Sequence, residues 1–237
     1  MPISKALLKK IRSLQQSKFR TAERAFVIEG KKSVDEAIQS GWKVLHCFTT
    51  DPQSASSKME LISDLEMNQI SGMSSPSPFL AVMEIPKLSV DDRVSKCLYL
   101  DGVRDPGNLG TIIRSADWLG WKNIVLSNDC VEIWNPKVIQ STMGSIFKVN
   151  IAIDQTQDFL GNKRAQGVHI YGADLNGISI KSAMPEYPLV MVMGSEAHGI
   201  RTAASQCIDH RITIPSAGDA ESLNVAIATS IIMFQWS

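Results

Sequence analysis

The chain has 237 residues, of which 44% are hydrophobic and 20% are charged, and its 24 basic and 24 acidic side chains leave no net charge. This composition is typical of a globular protein and excludes the disordered and fibrous classes. Because single cores seldom grow past about 250 residues, the length suits one large domain or two modest ones, and we expect two.

The cysteines and histidines show no metal-binding pattern. The four cysteines are far apart and form no C-x-x-C pair, so we expect them to be reduced and mostly packed. The four histidines form no i,i+4 pair and no H-E-x-x-H motif, so we expect no catalytic metal. These residues are Cys47, Cys97, Cys130, Cys207, His46, His169, His198 and His210.

Neither a secretory signal nor a membrane span is apparent. The N-terminal sequence MPISKALLKKIRSLQQSKFR is basic but lacks the apolar run and small residues of a signal peptide. No segment reaches the roughly 18 apolar residues of a membrane helix. We therefore expect a cytoplasmic protein with no membrane partner.

Basic residues are concentrated at the start of the chain. Residues 1–32 contain nine Lys or Arg against two acids, a balance of +7, so the rest of the chain carries −7. This asymmetry predicts contact with a phosphate backbone, although a solvated helix face would have the same charge. The nine residues are Lys5, Lys9, Lys10, Arg12, Lys18, Arg20, Arg24, Lys31 and Lys32.

In the first part of the chain, the hydrophobic spacing predicts alternating helices and strands. They lie at Lys5–Gln16 (helix), Ala25–Ile28 (strand), Ser33–Gln39 (helix), Val44–Thr49 (strand), Met59–Asn68 (helix) and Phe79–Ile85 (strand). The polar stretch 86–96 contains a proline and predicts a linker. We therefore expect a small mixed α/β domain at residues 1–90 and a second domain at 97–237.

In the second part, apolar strands alternate with helical patterns. This order predicts an α/β fold with a parallel sheet covered on both faces. The strands are predicted at Cys97–Leu100, Asn123–Leu126, Phe147–Ile153, Val168–Ala173, Leu189–Met193 and Arg211–Ile214. The helices are predicted at 110–119, 135–142, 155–166, 199–206 and 222–235.

The segment LDGVRDPGNLGTIIRSADWLG, residues 100–120, passes from a predicted strand through a glycine-rich loop into a helix. Such a loop lets the backbone approach a ligand at the carboxyl end of a parallel strand. It has neither the G-K-[ST] of a P-loop nor the G-x-G-x-x-G of dinucleotide folds. From spacing alone, Asn108 is equally explained by the helix start and Arg114 by an ordinary surface position.

Two later segments repeat the pattern of strand, turn and helix. LVMVMGSEAHGI places Gly194 and Glu196 in a tight turn after an apolar strand. RITIPSAGDAESLNVAIATSIIMFQW, which starts at Arg211, places Ser222 and Asn224 before a long apolar helix. Taken singly, each is also explained by an ordinary strand-to-helix connection or by helix capping.

In this order and spacing, the three segments closely resemble the signature motifs of the SpoU (TrmH-like) family of RNA ribose 2′-O-methyltransferases. The similarity continues through WNPKVIQSTMGSIFKVNI and covers residues 97–237. In the first part, FRTAERAFVIEGKKSVDEAIQSGWKV resembles the L30e-like substrate-binding domain that precedes the catalytic domain in many members. The resemblance thus covers nearly the whole chain.

The resemblance implies a fold and a methyl donor. The catalytic domain is expected to carry a deep trefoil knot of the SPOUT type, and a knot is something that ordinary connectivity rules would not predict. S-adenosylmethionine is expected to bind at the knot, without a metal. The family pattern assigns backbone contacts with this donor to Gly194, Ile214 and Leu223.

The resemblance also implies catalytic residues. Arg114 matches the arginine that the family regards as central; because a guanidinium stays protonated, we expect it to grip the RNA phosphate and orient the 2′-hydroxyl. Transfer to a hydroxyl requires alignment and assisted deprotonation. Asn108, Glu196, Ser222 and Asn224 match the other polar positions and are expected to position the arginine, the ribose or the donor.

Family sites are assembled by two subunits, so a homodimer is expected, with Arg114 serving the neighbouring pocket. The 2′-hydroxyl acceptor implies RNA and excludes DNA. The separate first domain favours ribosomal RNA of the 23S type over transfer RNA. The alternatives are a tRNA methyltransferase, a non-catalytic RNA-binding relative, and a nucleotide-binding α/β enzyme that would bind a dinucleotide instead.

Overall fold

The structure, a computed structural model, describes residues 3–91, 93 and 95–237. Within these residues, no helix is long and apolar enough to cross a membrane. The chain forms two compact units, one comprising the chain up to Lys87 together with Glu132–Phe147 and the other comprising the rest. We call Glu132–Phe147 the returning segment, because the sequence pattern assigned it to the second domain whereas its contacts lie in the first unit.

The secondary-structure elements follow in chain order. The strands are β1 Ala25–Glu29, β2 Val44–Thr49, β3 Glu60–Leu61, β4 Phe79–Glu84, β5 Lys96–Asp101, β6 Asn123–Ser127, β7 Asn150–Asp154, β8 His169–Ser179, β9 Leu189–Gly194 and β10 His210–Thr213. The helices are α1 Lys5–Ser13, α2 Ser17–Glu23, α3 Lys31–Gln39, α4 Asp64–Ile70, α5 Pro106–Trp118, α6 Pro136–Thr142, α7 Phe159–Ala165, α8 Thr202–Ser205 and α9 Val225–Gln235.

The first unit is built on a four-stranded sheet in the order β1-β4-β2-β3. Strands β1 and β2 are both antiparallel to β4, and the short β3 is parallel to β2. Helices α1 and α4 cover an apolar core in which Leu14, Phe48, Ile70 and Leu80 are at most 1% exposed. The predicted mixture of helices and strands is thus present as one small α/β unit.

The start of α4 differs from the predicted start at Met59. The helix begins at Asp64 because Ser63 caps it: the Ser63 hydroxyl accepts a hydrogen bond from the Glu66 amide at 3.3 Å, and the Glu66 carboxylate accepts one from the Ser63 amide at 2.9 Å. Such a reciprocal capping box satisfies two amides that the helix leaves unpaired. The residues before Ser63 are therefore free to pair as β3.

Helix α2, which the polar sequence around it did not predict, is anchored by Arg20. This side chain is only 3% exposed, and its Nε donates to Glu132 at 2.9 Å while its Nη1 donates to the Leu14 carbonyl at 2.8 Å. Glu132 begins the returning segment, whose Trp134 ring packs 4.6 Å from the Phe26 ring. These contacts explain why the returning segment belongs to the first unit.

The second unit is built on a six-stranded sheet in the order β10-β8-β9-β5-β6-β7, in which every pair is parallel. The predicted parallel α/β fold is confirmed. Its central strands are fully buried, as parallel strands covered on both faces should be, with Leu98, Ile124 and Met191 all at 0% exposure. Helix α9 packs against α5, and the Ser230 hydroxyl donates a hydrogen bond to the Ser115 hydroxyl at 2.9 Å.

Several boundaries in this part of the chain differ from the prediction: β8 continues to Ser179, and α7, α8 and α9 begin three or four residues later than predicted. Two further differences have a clear physical cause. Strand β7 begins at Asn150 rather than Phe147, because Phe147 ends a short 3₁₀ helix and its ring packs 5.0 Å from that of Trp42 in the first unit. Helix α5 begins four residues earlier than predicted, because Asp105 caps it and Pro106 suits its first position.

Candidate active site

The carboxyl ends of β9 and β10 and the middle of β8 border a cavity of about 500 Å³, which we call the large cavity. Its volume is in the range of small-molecule sites. Its walls include the apolar side chains of Met193 and Ile212. Gly194, Ile214 and Leu223, the three positions expected to contact a donor, all line this cavity.

At Gly194 there is no room for a side chain. A Cβ atom at this position would lie 2.1 Å from the carbonyl carbon of Gly199 and 2.2 Å from the nitrogen of Ile200. The intervening turn is closed by hydrogen bonds of 3.1 and 2.8 Å between the backbones of Ser195 and Gly199, and Gly199 has a φ of +63°. Both glycines are therefore required for β9 to end in a tight loop beside the large cavity.

Three polar residues from the three motifs meet at the rim of the large cavity. Oε1 of Glu196 accepts hydrogen bonds from Nδ2 of Asn224 at 2.5 Å, from Nδ2 of Asn108 at 3.2 Å and from the Val225 amide at 3.3 Å. Nδ2 of Asn224 also lies 3.0 Å from Oδ1 of Asn108. We call these side chains the Asn–Glu–Asn cluster.

Two members of this cluster are held in place by the N-terminal ends of helices. Asp105 caps α5 by accepting a hydrogen bond from the Asn108 amide at 2.8 Å, which fixes the first turn. Asn224 caps α9 through its Oδ1, which accepts from the Ala226 amide at 3.0 Å, while its Nδ2 donates to Glu196. Asn224 is thus a helix cap and a member of the cluster at once, so the two sequence interpretations are compatible.

Ser222 and Arg114 lie outside the cluster. Ser222 is exposed and lines the large cavity. Arg114 is exposed on α5, about 9 Å along the axis from Asn108, and does not line the cavity. Within the described ranges of the chain, Arg114 makes no hydrogen bond or ion pair. The structure therefore brings together three of the five predicted catalytic residues.

A charged network that the sequence did not predict holds the loops beside the cluster. Asp101, only 1% exposed, accepts from the Arg201 amide at 2.7 Å and from its Nε at 2.8 Å, and Asp129 lies 3.0 Å from Nη2 of Arg201. Hydrogen bonding to Asp101 raises the pKa of Arg201, which stays positively charged. The only signal in the sequence was an acid at the end of an apolar strand.

A smaller cavity of about 190 Å³ adjoins the large one and shares Ser195, Glu196 and Val225 with it. Arg104 and His198 also line the smaller cavity. Glu196 therefore borders both cavities. This arrangement can bring two reactants to one carboxylate.

Helix α9 is apolar on both of its sides. One side is buried in the second unit, but Ile227 is 53%, Ile231 is 36% and Phe234 is 72% exposed. On the neighbouring α5, Trp118 is 88% exposed and lies one turn after Arg114. We call these four apolar side chains the α5–α9 face. Exposed apolar patches of this kind mark interaction surfaces.

Two family descriptions match the chain. The SpoU rRNA Methylase family matches residues 95–234, which contain the large cavity and the Asn–Glu–Asn cluster. The MRM3-like substrate binding domain matches residues 5–81. Together they cover most of both units.

Proteins of assigned activity are similar over most of their length. The 23S rRNA (guanosine(2553)-2′-O)-methyltransferase RlmP of Bacillus subtilis is 30% identical over 230 residues, covering 94% of this chain and 92% of that protein. The 23S rRNA (uridine(2479)-2′-O)-methyltransferase of Streptomyces viridochromogenes is 28% identical over 240 residues, covering 91% and 83%.

Solved structures share the fold. A TrmH-family protein from Porphyromonas gingivalis superposes with a TM-score of 0.90 at 35% identity, over 99% of this chain and 98% of that one. An rRNA methyltransferase from Sinorhizobium meliloti with bound S-adenosylmethionine superposes with a TM-score of 0.89 at 30% identity, over 99% and 96%.

Proposed function

Because the chain belongs to the SpoU rRNA methylase family, we propose that it transfers the methyl group of S-adenosylmethionine to a ribose 2′-hydroxyl of ribosomal RNA. The observation that carries this proposal is the Asn–Glu–Asn cluster, which joins the three motif segments at the rim of the large cavity. The similar proteins from B. subtilis and S. viridochromogenes act on 23S rRNA, which favours RNA of that class.

The large cavity suits S-adenosylmethionine. Its apolar walls at Met193 and Ile212 fit an adenine ring, and Gly194 lets the main chain approach the ligand without a side chain between them. Ile214 and Leu223 would hold the donor through their backbones. When bound, the donor supplies an electrophilic methyl group, so the reaction needs no metal.

Glu196 is suited to orient the ribose. Its Oε1 is held by three donors, whereas its Oε2 has no hydrogen-bond partner within the described part of the chain. We assign Oε2 to a hydroxyl of the acceptor ribose in the smaller cavity. Asn108 and Asn224 then position Glu196, and Ser222 contacts the donor from the wall of the large cavity.

Arg114 is assigned to the pocket of a second copy of the chain. It lies on α5 beside the α5–α9 face, and burying that face between two copies would remove four exposed apolar side chains from water. In such a homodimer, Arg114, which lies outside its own Asn–Glu–Asn cluster, would meet the cluster of the partner subunit. There it would bind the RNA phosphate next to the target ribose and so orient the 2′-hydroxyl.

The first unit is assigned to RNA binding, in the manner of an L30e-like substrate domain. Eight of the nine basic residues in the N-terminal segment are exposed, the exception being Arg20. Such a surface suits the phosphate backbone of RNA. We place the protein in the cytoplasm, where ribosomal RNA is available, with no role for DNA.

We also propose that the second unit carries the trefoil knot of its family. After β10 at the edge of the sheet, the chain lines the large cavity and then returns to pack α9 against α5, which follows the interior strand β5. A chain end tucked back across the sheet in this way is compatible with a knot around the donor site.

Transfer of radiolabelled methyl groups to separated ribosomal and transfer RNA from a strain lacking this gene tests the proposed function. We expect label in the ribosomal pool with the wild type and none with Arg114→Ala. Label confined to transfer RNA would identify a tRNA enzyme. No label in either pool or in ribosomal particles, despite measurable donor binding, would identify a non-catalytic binder.

A further inference from the structure

Two histidines and a glutamate meet at the amino ends of three neighbouring strands. His169 begins β8, His210 begins β10, and Glu186 lies shortly before β9. One nitrogen of each imidazole and one carboxylate oxygen all lie within 4.8 Å of one another. We call them the His–Glu–His group. The large cavity lies at the other end of these strands, about 17 Å away along β9.

We propose that the His–Glu–His group binds one divalent transition-metal ion of the zinc class. Two imidazole nitrogens and one carboxylate oxygen form a ligand set that Zn²⁺ binds at about 2.0–2.2 Å, with water in a fourth position. Tetrahedral geometry at these distances separates ligand atoms by roughly 3.4 Å. Nε2 of His169 and Oε2 of Glu186 are already 3.8 Å apart, and the Glu186 side chain, 66% exposed, can rotate inward.

The surrounding structure holds the three ligands on a common frame. The Glu186 amide donates to the hydroxyl of Tyr171 at 3.0 Å, which fixes the loop before β9. The Tyr171 ring also stacks on the His210 ring at 4.9 Å between centroids. The His169 amide donates to the Pro188 carbonyl at 3.0 Å. Little reorganisation of the backbone is therefore needed for an ion to bind.

An ordinary ion pair explains the group less completely. A pair between His169 and Glu186 would leave the ring nitrogens of His210 unused, because the His210 imidazole stacks on Tyr171 but makes no hydrogen bond within the part of the chain that the structure describes. A bound ion would satisfy both imidazoles and the carboxylate together. The histidine spacing could not predict the site because its ligands come from three separate segments.

Such an ion would act on stability rather than on the methyl transfer. It would tie the edge strand β10 to β8 and to the loop before β9. Strand β10 leads directly into Ile214, which lines the large cavity. Zinc binding would therefore stabilise the strand that carries one wall of that cavity.

Zinc titration of the tag-free, metal-stripped full-length protein tests this site, with a chromophoric chelator as competitor and Co²⁺ absorption as a second readout. We expect one equivalent to bind and the melting temperature to rise. Glu186→Gln and His210→Asn should each weaken binding by more than about tenfold. The control is His46→Asn, which alters an exposed histidine of the first unit and should leave the affinity unchanged.

The proposal is overturned if no equivalent binds when zinc is in large excess over the protein. It is equally overturned if binding survives both Glu186→Gln and His210→Asn, because the ion would then lie elsewhere, for example on a cysteine. Because the Glu186 side chain is exposed, Glu186→Gln should retain the wild-type circular dichroism and melting temperature without metal, so its loss of binding reports on the site itself.

Discussion

At the scale of single residues, Gly194 leaves no room for a side chain beside the large cavity. Gly194→Ala would force Cβ to within 2.2 Å of the backbone at Gly199 and Ile200, so the loop beside the cavity must move. We expect the affinity for S-adenosylmethionine, measured by calorimetry, to fall by at least about tenfold, or 1.4 kcal/mol.

Gly161→Ala is the matched control for Gly194→Ala. Gly161 lies in α7, and a Cβ atom added there would meet nothing within 4 Å, so alanine should leave donor affinity unchanged and stabilise the helix by up to about 1 kcal/mol. Wild-type donor affinity in Gly194→Ala would show that the close approach at this glycine has no part in binding.

Asp101 should matter through Arg201. Asp101→Asn removes the buried charge that holds Arg201, but Arg201 is 40% exposed and keeps Asp129, so solvent moderates the loss. We expect the free energy of unfolding in urea to fall by about 1–2 kcal/mol. Lys43→Ala, which breaks the exposed pair with Glu84, should cost less than about 0.5 kcal/mol, and equal losses in both variants would refute this ranking.

Glu132 should make the stability depend on pH. Burial favours a higher pKa for its carboxyl, but hydrogen bonds from Arg20 and Ser17 outweigh burial and hold the pKa below its ordinary value. The unfolded chain therefore binds the proton more tightly, so this stabilisation is present above the unfolded pKa and is lost as pH falls through the folded one.

Glu132→Gln should lower the free energy of unfolding by about 2–4 kcal/mol near pH 7, because Arg20 would remain buried with its charge unpaired. The difference from wild type should shrink between pH 7 and a pH below the lowered pKa of Glu132, because the wild-type carboxyl is itself protonated there. Urea unfolding of both proteins at the two pH values measures this difference in the free energy of unfolding. A difference that does not change with pH would contradict the assignment.

The sequence identified the members of the Asn–Glu–Asn cluster only because their segments resemble family motifs. Their spacing of 88 residues between Asn108 and Glu196 has no local signature. Asp101 and Arg201 were missed for the same physical reason, since nothing local marks an ion pair between residues 100 positions apart. Arg20 was grouped with the RNA-binding residues because charge alone does not reveal burial.

At the scale of elements, α1 presents a basic stripe. Lys5, Lys9 and Arg12 are exposed at i, i+4 and i+7, opposite the buried Ile11. Replacing all three by Gln should weaken binding to ribosomal RNA and reduce the slope of log K against log salt by up to about 2–3, as measured by filter binding.

The control for the α1 stripe removes the same charge elsewhere. It neutralises three exposed lysines outside the basic segment: Lys58, Lys87 and Lys137. We expect a smaller change in the salt slope for this variant. Equal slopes for the two triple variants would show that only net charge matters and that α1 is not a specific contact.

The α5–α9 face should hold the proposed homodimer together. The Phe234 side chain is 72% exposed in a single copy of the chain, so Phe234→Glu should not prevent that copy from folding. The new charge would lie in the proposed interface, so the dimer should dissociate. Light scattering should show a monomer without methyltransferase activity. Leu65→Glu, at a 76% exposed leucine of the first unit, is the control and should remain dimeric and active.

Helices and strands were predicted correctly where the spacing of apolar residues was regular. They were missed or misplaced where contacts of individual side chains determine where an element forms. The parallel strands of the second unit followed from their apolar runs. Helix α2 did not, because it depends on the buried Arg20, and the start of α4 was misplaced because Ser63 caps it four residues after Met59. The apolar helix α9 was predicted, but its exposed apolar side was not.

At the scale of the whole molecule, the sequence could not predict that the returning segment belongs to the first unit. Residues 132–147 lie between β6 and β7 in the chain, so a linear boundary at 86–96 could not assign them to the first unit. Their placement depends on contacts such as Arg20 with Glu132, which are long-range. The expectation of two domains rested on the chain length and on the polar stretch at 86–96.

A site shared between two subunits should permit complementation. Arg114→Ala keeps an intact pocket and Glu196→Gln keeps an intact arginine, so a mixed dimer has one complete site. We expect each variant alone to be inactive and the equal mixture, after subunit exchange, to recover about a quarter of wild-type activity. No recovery in dimers shown to be mixed would place Arg114 in its own pocket.

The chemical position of the transferred methyl group tests the central claim most directly. A methyl group on the 2′-oxygen blocks alkaline cleavage of the adjacent phosphodiester. After transfer from labelled S-adenosylmethionine to ribosomal RNA and complete alkaline hydrolysis, the account predicts that the label is in an alkali-resistant dinucleotide. Label recovered in mononucleotides would show methylation of a base and would contradict it.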